Sequence, residues 1–180
     1  DWRIVGGYVA GGLVALGLFA LARVVLGKAG VLIAMGLAPF AGLALPERLH
    51  LNVERRGHPF ACGLLCVCLS LTAGIAGPLL DLFFVRSGMG RQRVVATKAV
   101  TQTFSHLLKI VYFGALARGA QADVALVPAV AMVVAALAGT RLSANVLERM
   151  SDVAFRLWTR RVIVVLGVLY LASGIGALRG

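Results

Sequence analysis

Residues 4–22 contain no charged side chain, and the apolar run they begin continues to Leu26. An α-helix rises 1.5 Å per residue, so about 20 such residues match the ~30 Å hydrocarbon core of a bilayer. Similar runs recur along the chain: Ala29–Leu45, Phe60–Val85, Val94–Leu116, Val124–Thr140 and Val162–Leu178. Six runs of this kind restrict the fold class to all-α. The expectation is a polytopic transmembrane helix bundle of about six spans.

Composition supports this reading. The 180 residues are 60% hydrophobic and 14% charged, where a soluble domain carries about 25% charge. The net charge of +11, from 18 basic and 7 acidic residues, would suggest nucleic acid in a soluble chain. Here the basic residues sit between apolar runs, where Arg and Lys set topology, so no nucleic-acid partner is expected and the bilayer is the surrounding medium. Alternation across six spans groups the basic loops 86–93 and 141–161 with Arg23 and Lys28 on one side. The connector 46–59 falls on the other, with Arg3, Arg118 and Arg179. The positive-inside rule makes the first group cytoplasmic and turns both chain ends outward. The location expected is a cell membrane, crossed several times.

Two departures from a plain apolar pattern point to function. The first is Thr72–Pro78, TAGIAGP, in the middle of the third run. Two glycines and a proline predict a broken helix, and irregular backbone at membrane depth must be buried in protein or line a cavity. The second is Thr97–Lys109. On a helix, Lys98, Thr101, Gln102, Ser105, His106 and Lys109 fall within an arc of about 140°. Ionisable groups at that depth are costly and face a partner, a cavity or a pathway.

Taken together, these elements suit an anion. The half-helix beginning near Gly77 and Pro78 exposes free N–H groups at its positive end. Lys98 and Lys109 add charge. Thr72, Thr97, Thr101, Gln102 and Ser105 offer hydrogen bonds, and Gly74, Gly77 and Pro78 shape the break. Asp81 and His106 are candidates for proton coupling. The competing reading of the same groups is glue between helices, with Lys109 paired to Asp81.

Other signals are weaker. Cys62, Cys66 and Cys68 lie in one apolar run and read as packing residues. His50 and His58 in the connector have no third ligand at a suggestive spacing, so no metal and no cofactor is expected. Gly7 and Gly11 form a GxxxG pair that permits close helix approach. No pattern for intramembrane hydrolysis or phosphate chemistry stands out, so an enzyme is not expected. A cation permease fits poorly, because Asp81 is essentially the sole carboxylate within the runs.

The stretch Thr72–Gly114 resembles the second half of the TauE/SafE sulfite-exporter family. The order is a Gly-rich, Pro-ended break (GIAGP), a hydrophobic run (LLDLFF), a short loop (RSGMGRQR) and an Ala-Thr opening a polar helix (VVATKA). Ala135–Arg156 resembles that family's span end and amphipathic linker. The resemblance implies a two-repeat anion permease, with the break at Thr72–Pro78 and the helix opening at Ala96-Thr97-Lys98. Residues 1–45 then correspond to the last two spans of a first repeat, 46–59 to a connector and 60–180 to the second repeat. Only one break occurs here, which departs from the family and leads to the expectation of a portion of a longer transporter. The implied activity is export or import of a small anion, sulfur-containing in the named relatives, by alternating access. The alternative is a membrane subunit or scaffold without a pathway. A homo-oligomer is left open.

Overall fold

The computed structural model describes residues 1–22, 30, 32–33, 36–37, 40, 51–74, 76–116 and 126–179. Most of the second apolar run with Pro39, the turn at 118–123, and Arg23, Lys28, Arg48 and His50 lie outside the described residues. Among those described, the regular elements are helices: α1 (Trp2–Ala22), α2 (His58–Ala73), α3 (Gly77–Phe84), α4 (Arg91–Val111) continuing as a π turn through Tyr112–Leu116, α5 (Leu126–Arg149) and α6 (Asp152–Arg179). Three of them are long and apolar enough to cross a membrane, over Trp2–Leu21, Leu126–Arg149 and Asp152–Ala177.

Local chemistry explains where the helices begin and end. The Asp1 carboxylate accepts from the Arg3 and Ile4 amides at 3.1 and 3.4 Å, which caps α1. α2 opens with Pro59 in its first turn and closes at Gly74, whose φ of 76° is open to glycine at little cost. The Gly74 amide still bonds the Ser70 carbonyl at 3.1 Å. Pro78 sits in the first turn of α3, where its missing N–H does no harm. The break expected at Thr72–Pro78 is therefore present, though Ile75 within it lies outside the described residues.

The course of the chain after that break differs from the expectation. Phe60–Val85 was expected to cross the bilayer as one broken span. Instead, α2 and α3 form a hairpin whose open ends lie together. The Val53 amide donates to the Phe83 carbonyl at 3.0 Å, Asn52 Nδ2 to the Arg86 carbonyl at 3.2 Å, and the Gly88 amide to Glu54 Oε2 at 2.7 Å. The His58 and Phe83 rings meet edge to face. Residues 51–57 and 86–90 thus occupy the same end of the molecule, which corrects the assignment of 46–59 and 86–93 to opposite sides. Asp1 joins this end through its ion pair with Arg93 at 3.0 Å, so the chain start and the 86–93 loop also share a side. The hydrogen bonds of Val53 and Gly88 hold the end of α3 beside the segment that leads into α2.

A second correction concerns residues 141–161. They form no separate amphipathic segment. α5 runs unbroken to Arg149, and a new helix begins at Asp152, capped by Ser151 Oγ accepting from the Ala154 amide at 3.1 Å. The corner is tied to α4 by Arg91, whose side chain reaches Asp152 Oδ1 at 3.1 Å and the Leu147 carbonyl at 2.9 Å.

The tightest packing is between α1 and α2, and glycine makes it possible. A Cβ on Gly11 would stand 2.0 Å from the Phe60 carbonyl oxygen, and one on Gly63 2.0 Å from that of Tyr8. Gly7 approaches Pro59 in the same way. The Gly7/Gly11 pair thus meets α2 directly. Behind this seam lie Tyr8, Cys62, Cys66, Val67, Leu80 and Phe83, each at most 1% exposed. Cys62 and Cys66 belong to this core, their sulfurs 3.9 Å apart. Leu32, Ile33 and Gly36 lie against Leu171 and Gly174 of α6. The seam yields a prediction. Gly11→Ala and Gly63→Ala should each lower thermal stability in detergent, by about 1–3 kcal/mol as for overpacked cores. Gly17→Ala, where nothing lies within 4 Å, should leave it within about 0.5 kcal/mol.

Candidate functional site

The polar face of α4 divides into two parts once its neighbours are in place. Thr97, Thr101, Ser105 and Leu108 are buried against the bundle. Ser105 Oγ and the Tyr8 hydroxyl share a hydrogen bond of 2.7 Å, which joins α4 to α1. The Thr101 hydroxyl donates to the Lys98 carbonyl one turn back. The Thr72 hydroxyl does the same towards Cys68 and Leu69. Such back-bonding satisfies a hydroxyl without a neighbouring helix. Thr97 lies beside the start of α1, its Oγ1 2.8 Å from the Asp1 nitrogen.

α3 and α4 run antiparallel, and this sets which charges meet. Gly74 stands opposite Lys109, Gly77 is 4.0 Å from the Gln102 amide nitrogen, measured from its would-be Cβ, and Asp81 stands opposite Lys98. Lys98 donates to Asp81 in an ion pair whose side chains are 21% and 18% exposed. Lys109 Nζ donates instead to the Gly74 carbonyl at 2.5 Å. The expected pairing of Lys109 with Asp81 is therefore replaced. Seven residues separate Gly74 from Asp81 and eleven separate Lys98 from Lys109.

Beside the hairpin turn is a cavity of about 190 Å³. Gly74, Ala76, Gly77 and Leu80 line it from the hairpin, Ser70 from α2, Tyr8 from α1, and Gln102, Ser105, His106 and Lys109 from α4. Of the residues expected to form a site, Gly74, Gly77, Gln102, His106 and Lys109 are brought together here. Thr72, Pro78, Asp81, Thr97, Lys98 and Thr101 are not in its lining. Ser105, read from the polar arc as either a donor to the site or glue, joins it as well, and so do Tyr8 and Ser70, which the motif reading did not assign to a site. Tyr8 is the sole polar side chain in residues 4–22, and that isolation was the available signal.

Electrostatically the cavity leans one way. Lys109 supplies a cation, and the first turn of α3, with no side-chain cap on Ala76, supplies the positive end of a helix. Gln102, Ser70 and Ser105 carry neutral donors, and among the described residues no carboxylate lines the walls. A space of this size holds several waters, at about 30 Å³ each, or a small oxyanion. Towards the basic end, between Asp81, Lys98, Arg91 and Asp152, only about 10 Å³ remains, which is no more than one water. The packing there is closed.

No family model, curated protein or solved structure matches the chain.

The ion pair between Lys98 and Asp81 makes a direct prediction. Removing one partner strands a charge in a largely buried setting. Asp81→Asn and Lys98→Met should each cost about 3 kcal/mol of stability, while the double variant should recover most of that loss. Thermal unfolding of the four proteins in one detergent measures the coupling, and additive losses would show that the pair is not formed.

Proposed function

We propose that the chain serves, alone or within a larger assembly, as a bacterial inner-membrane permease of the TauE/SafE type for a small anion. The carrying observation is the cavity at the hairpin turn, which gathers Lys109, the α3 N-terminus and neutral donors with no carboxylate among the described residues. Anions bind at helix N-termini because unsatisfied N–H groups and the helix dipole both favour negative charge. A discontinuous helix that places such a terminus at membrane depth is the arrangement used by secondary transporters. A sulfur oxyanion is a suitable size and charge, and the resemblance of Thr72–Gly114 points to that class.

In this reading Lys109 and Gln102 hold the anion, and Ser70 and Ser105 complete its hydrogen bonds. His106 lies in the same lining and is the nearer candidate for a coupled proton. Asp81 works through Lys98: it neutralises that ammonium, so Lys98 adds little net attraction while the pair is closed. The clustering of Arg3, Arg55, Arg56, Arg86, Arg91, Arg93 and Arg149 at one end supports a cytoplasmic placing of that end, including the 86–93 loop and the basic part of 141–161. Alternating access would then require the closed packing around Asp81 and Lys98 to open.

The scaffold reading has an observation of its own. Lys98 is paired, and the Thr72 and Thr101 hydroxyls are used within their own helices. Uptake of radiolabelled sulfite and of a sulfonate into proteoliposomes separates the two. Lys109→Ala should reduce uptake at least about tenfold, the loss of one charge-assisted contact. Thr103→Ala, on the exposed side of α4, should leave it unchanged. Full activity in Lys109→Ala would overturn the site, and no uptake by the unmodified protein would favour the scaffold.

A further inference from the structure

A second cavity, of about 360 Å³, lies at the basic end between the foot of α3 and the start of α6. Its lining is Val85, Arg86, Val153, Arg156, Leu157 and Arg160. The four α6 residues follow the spacing i, i+3, i+4, i+7, which places them on one helix face. Half of the lining is guanidinium and half is aliphatic. Asp152, the acid at this corner, is already engaged by the Arg91 amide and side chain at 2.9 and 3.1 Å. Glu54 is likewise engaged by the Gly88 amide. The lining itself holds three guanidinium groups and, among the described residues, no carboxylate, so the groove is basic.

Position along α6 narrows the ligand. Immediately beyond the groove, Arg161 stacks over the Trp158 ring at 5.4 Å, and Trp158 is 57% exposed. From Val162 onward the helix is apolar as far as Leu178. A Trp–Arg pair at the change from charged to apolar sequence marks the interfacial level of a membrane helix. A groove at that level, with arginine forks on one side and Val153 and Leu157 exposed on the other, matches a molecule with an anionic head and a hydrocarbon body.

We propose that this groove is a binding site for an anionic phospholipid. Arg86, Arg156 and Arg160 receive the phosphate oxygens, and Val85, Val153 and Leu157 contact the first methylenes of an acyl chain. Guanidinium groups suit phosphate because their planar forks donate two parallel hydrogen bonds, and basic pockets between membrane helices bind anionic headgroups. The site involves no residue of the cavity at the hairpin turn, and it stands whether or not the chain transports an anion.

Native mass spectrometry of the full chain in detergent tests the proposal, with phosphatidylglycerol, phosphatidylcholine or inorganic phosphate added separately. The unmodified protein should retain phosphatidylglycerol about tenfold more tightly than phosphatidylcholine. Arg156→Ala/Arg160→Ala should lose that preference. Arg55→Ala/Arg56→Ala, which removes equal charge from the same end, should keep it to within about twofold. Arg156→Lys/Arg160→Lys retains the charge without the fork and should fall between the two; circular dichroism confirms that each variant is folded. Equal retention of both lipids would overturn the site. So would equal losses in the two Arg-to-Ala doubles, and so would displacement of the lipid by excess inorganic phosphate, which would mark a site for the free anion.

Discussion

A helix that ends in a turn leaves its last backbone carbonyls without intrahelical donors. The turn at Gly74 brings that constraint to bear on this chain. The helix ends there in a left-handed residue, and its carbonyl has no following helical amide to accept from. Lys109 supplies the donor. The same contact holds the turn of the hairpin against α4, positions the start of α3 beside Gln102, and leaves the cavity between them. Its support comes from the opposite side, where Gly11 and Gly63 let α2 lie backbone-to-backbone on α1. Tyr8 of α1 in turn reaches Ser105 of α4, a bond that joins this seam to the cavity wall.

Charge is sorted by depth along α4. Lys98, nearer the basic end, meets Asp81 and is neutralised. Lys109, eleven residues further on, meets a carbonyl and keeps its net charge. A single helix thus carries one cation committed to holding the bundle and another that polarises a cavity. The hydroxyls divide in a comparable way: Thr101 is satisfied within α4, while Ser105 is shared with α1. On α4 the part a polar residue plays is set by its neighbour rather than by its type.

Much of the local structure was legible in the sequence. Two glycines and a proline marked the break at Thr72–Pro78, the spacing of Gly7 and Gly11 marked a helix contact, and the polar arc of α4 marked the element that faces the cavity. What local pattern cannot encode is direction after a break: an apolar run of 26 residues can cross or fold back. Here the answer depends on contacts between Val53 and Phe83 and between Glu54 and Gly88, which are distant in sequence. The partner of Asp81 was hidden for a related reason. Choosing Lys98 over Lys109 requires the antiparallel register of α3 on α4, which only the hairpin sets. Tyr8 was unassigned because its role comes entirely from α4. The corner at Ser151 went unread because the helical spacing of Leu142, Val146, Arg149 and Val153 continues across it.

The central claim is that residues 58–85 enter and leave at one end of the molecule. In a background with Cys62, Cys66 and Cys68 replaced by alanine, Arg56→Cys and Gln92→Cys flank the hairpin, and Gly176→Cys lies near the other end of α6. Labelling with a membrane-impermeant maleimide, applied to sealed right-side-out and inside-out vesicles, reads the side of each. The hairpin predicts that positions 56 and 92 are labelled from the same side and position 176 from the opposite one. Labelling of 56 and 92 from opposite sides would show a crossing span and contradict it.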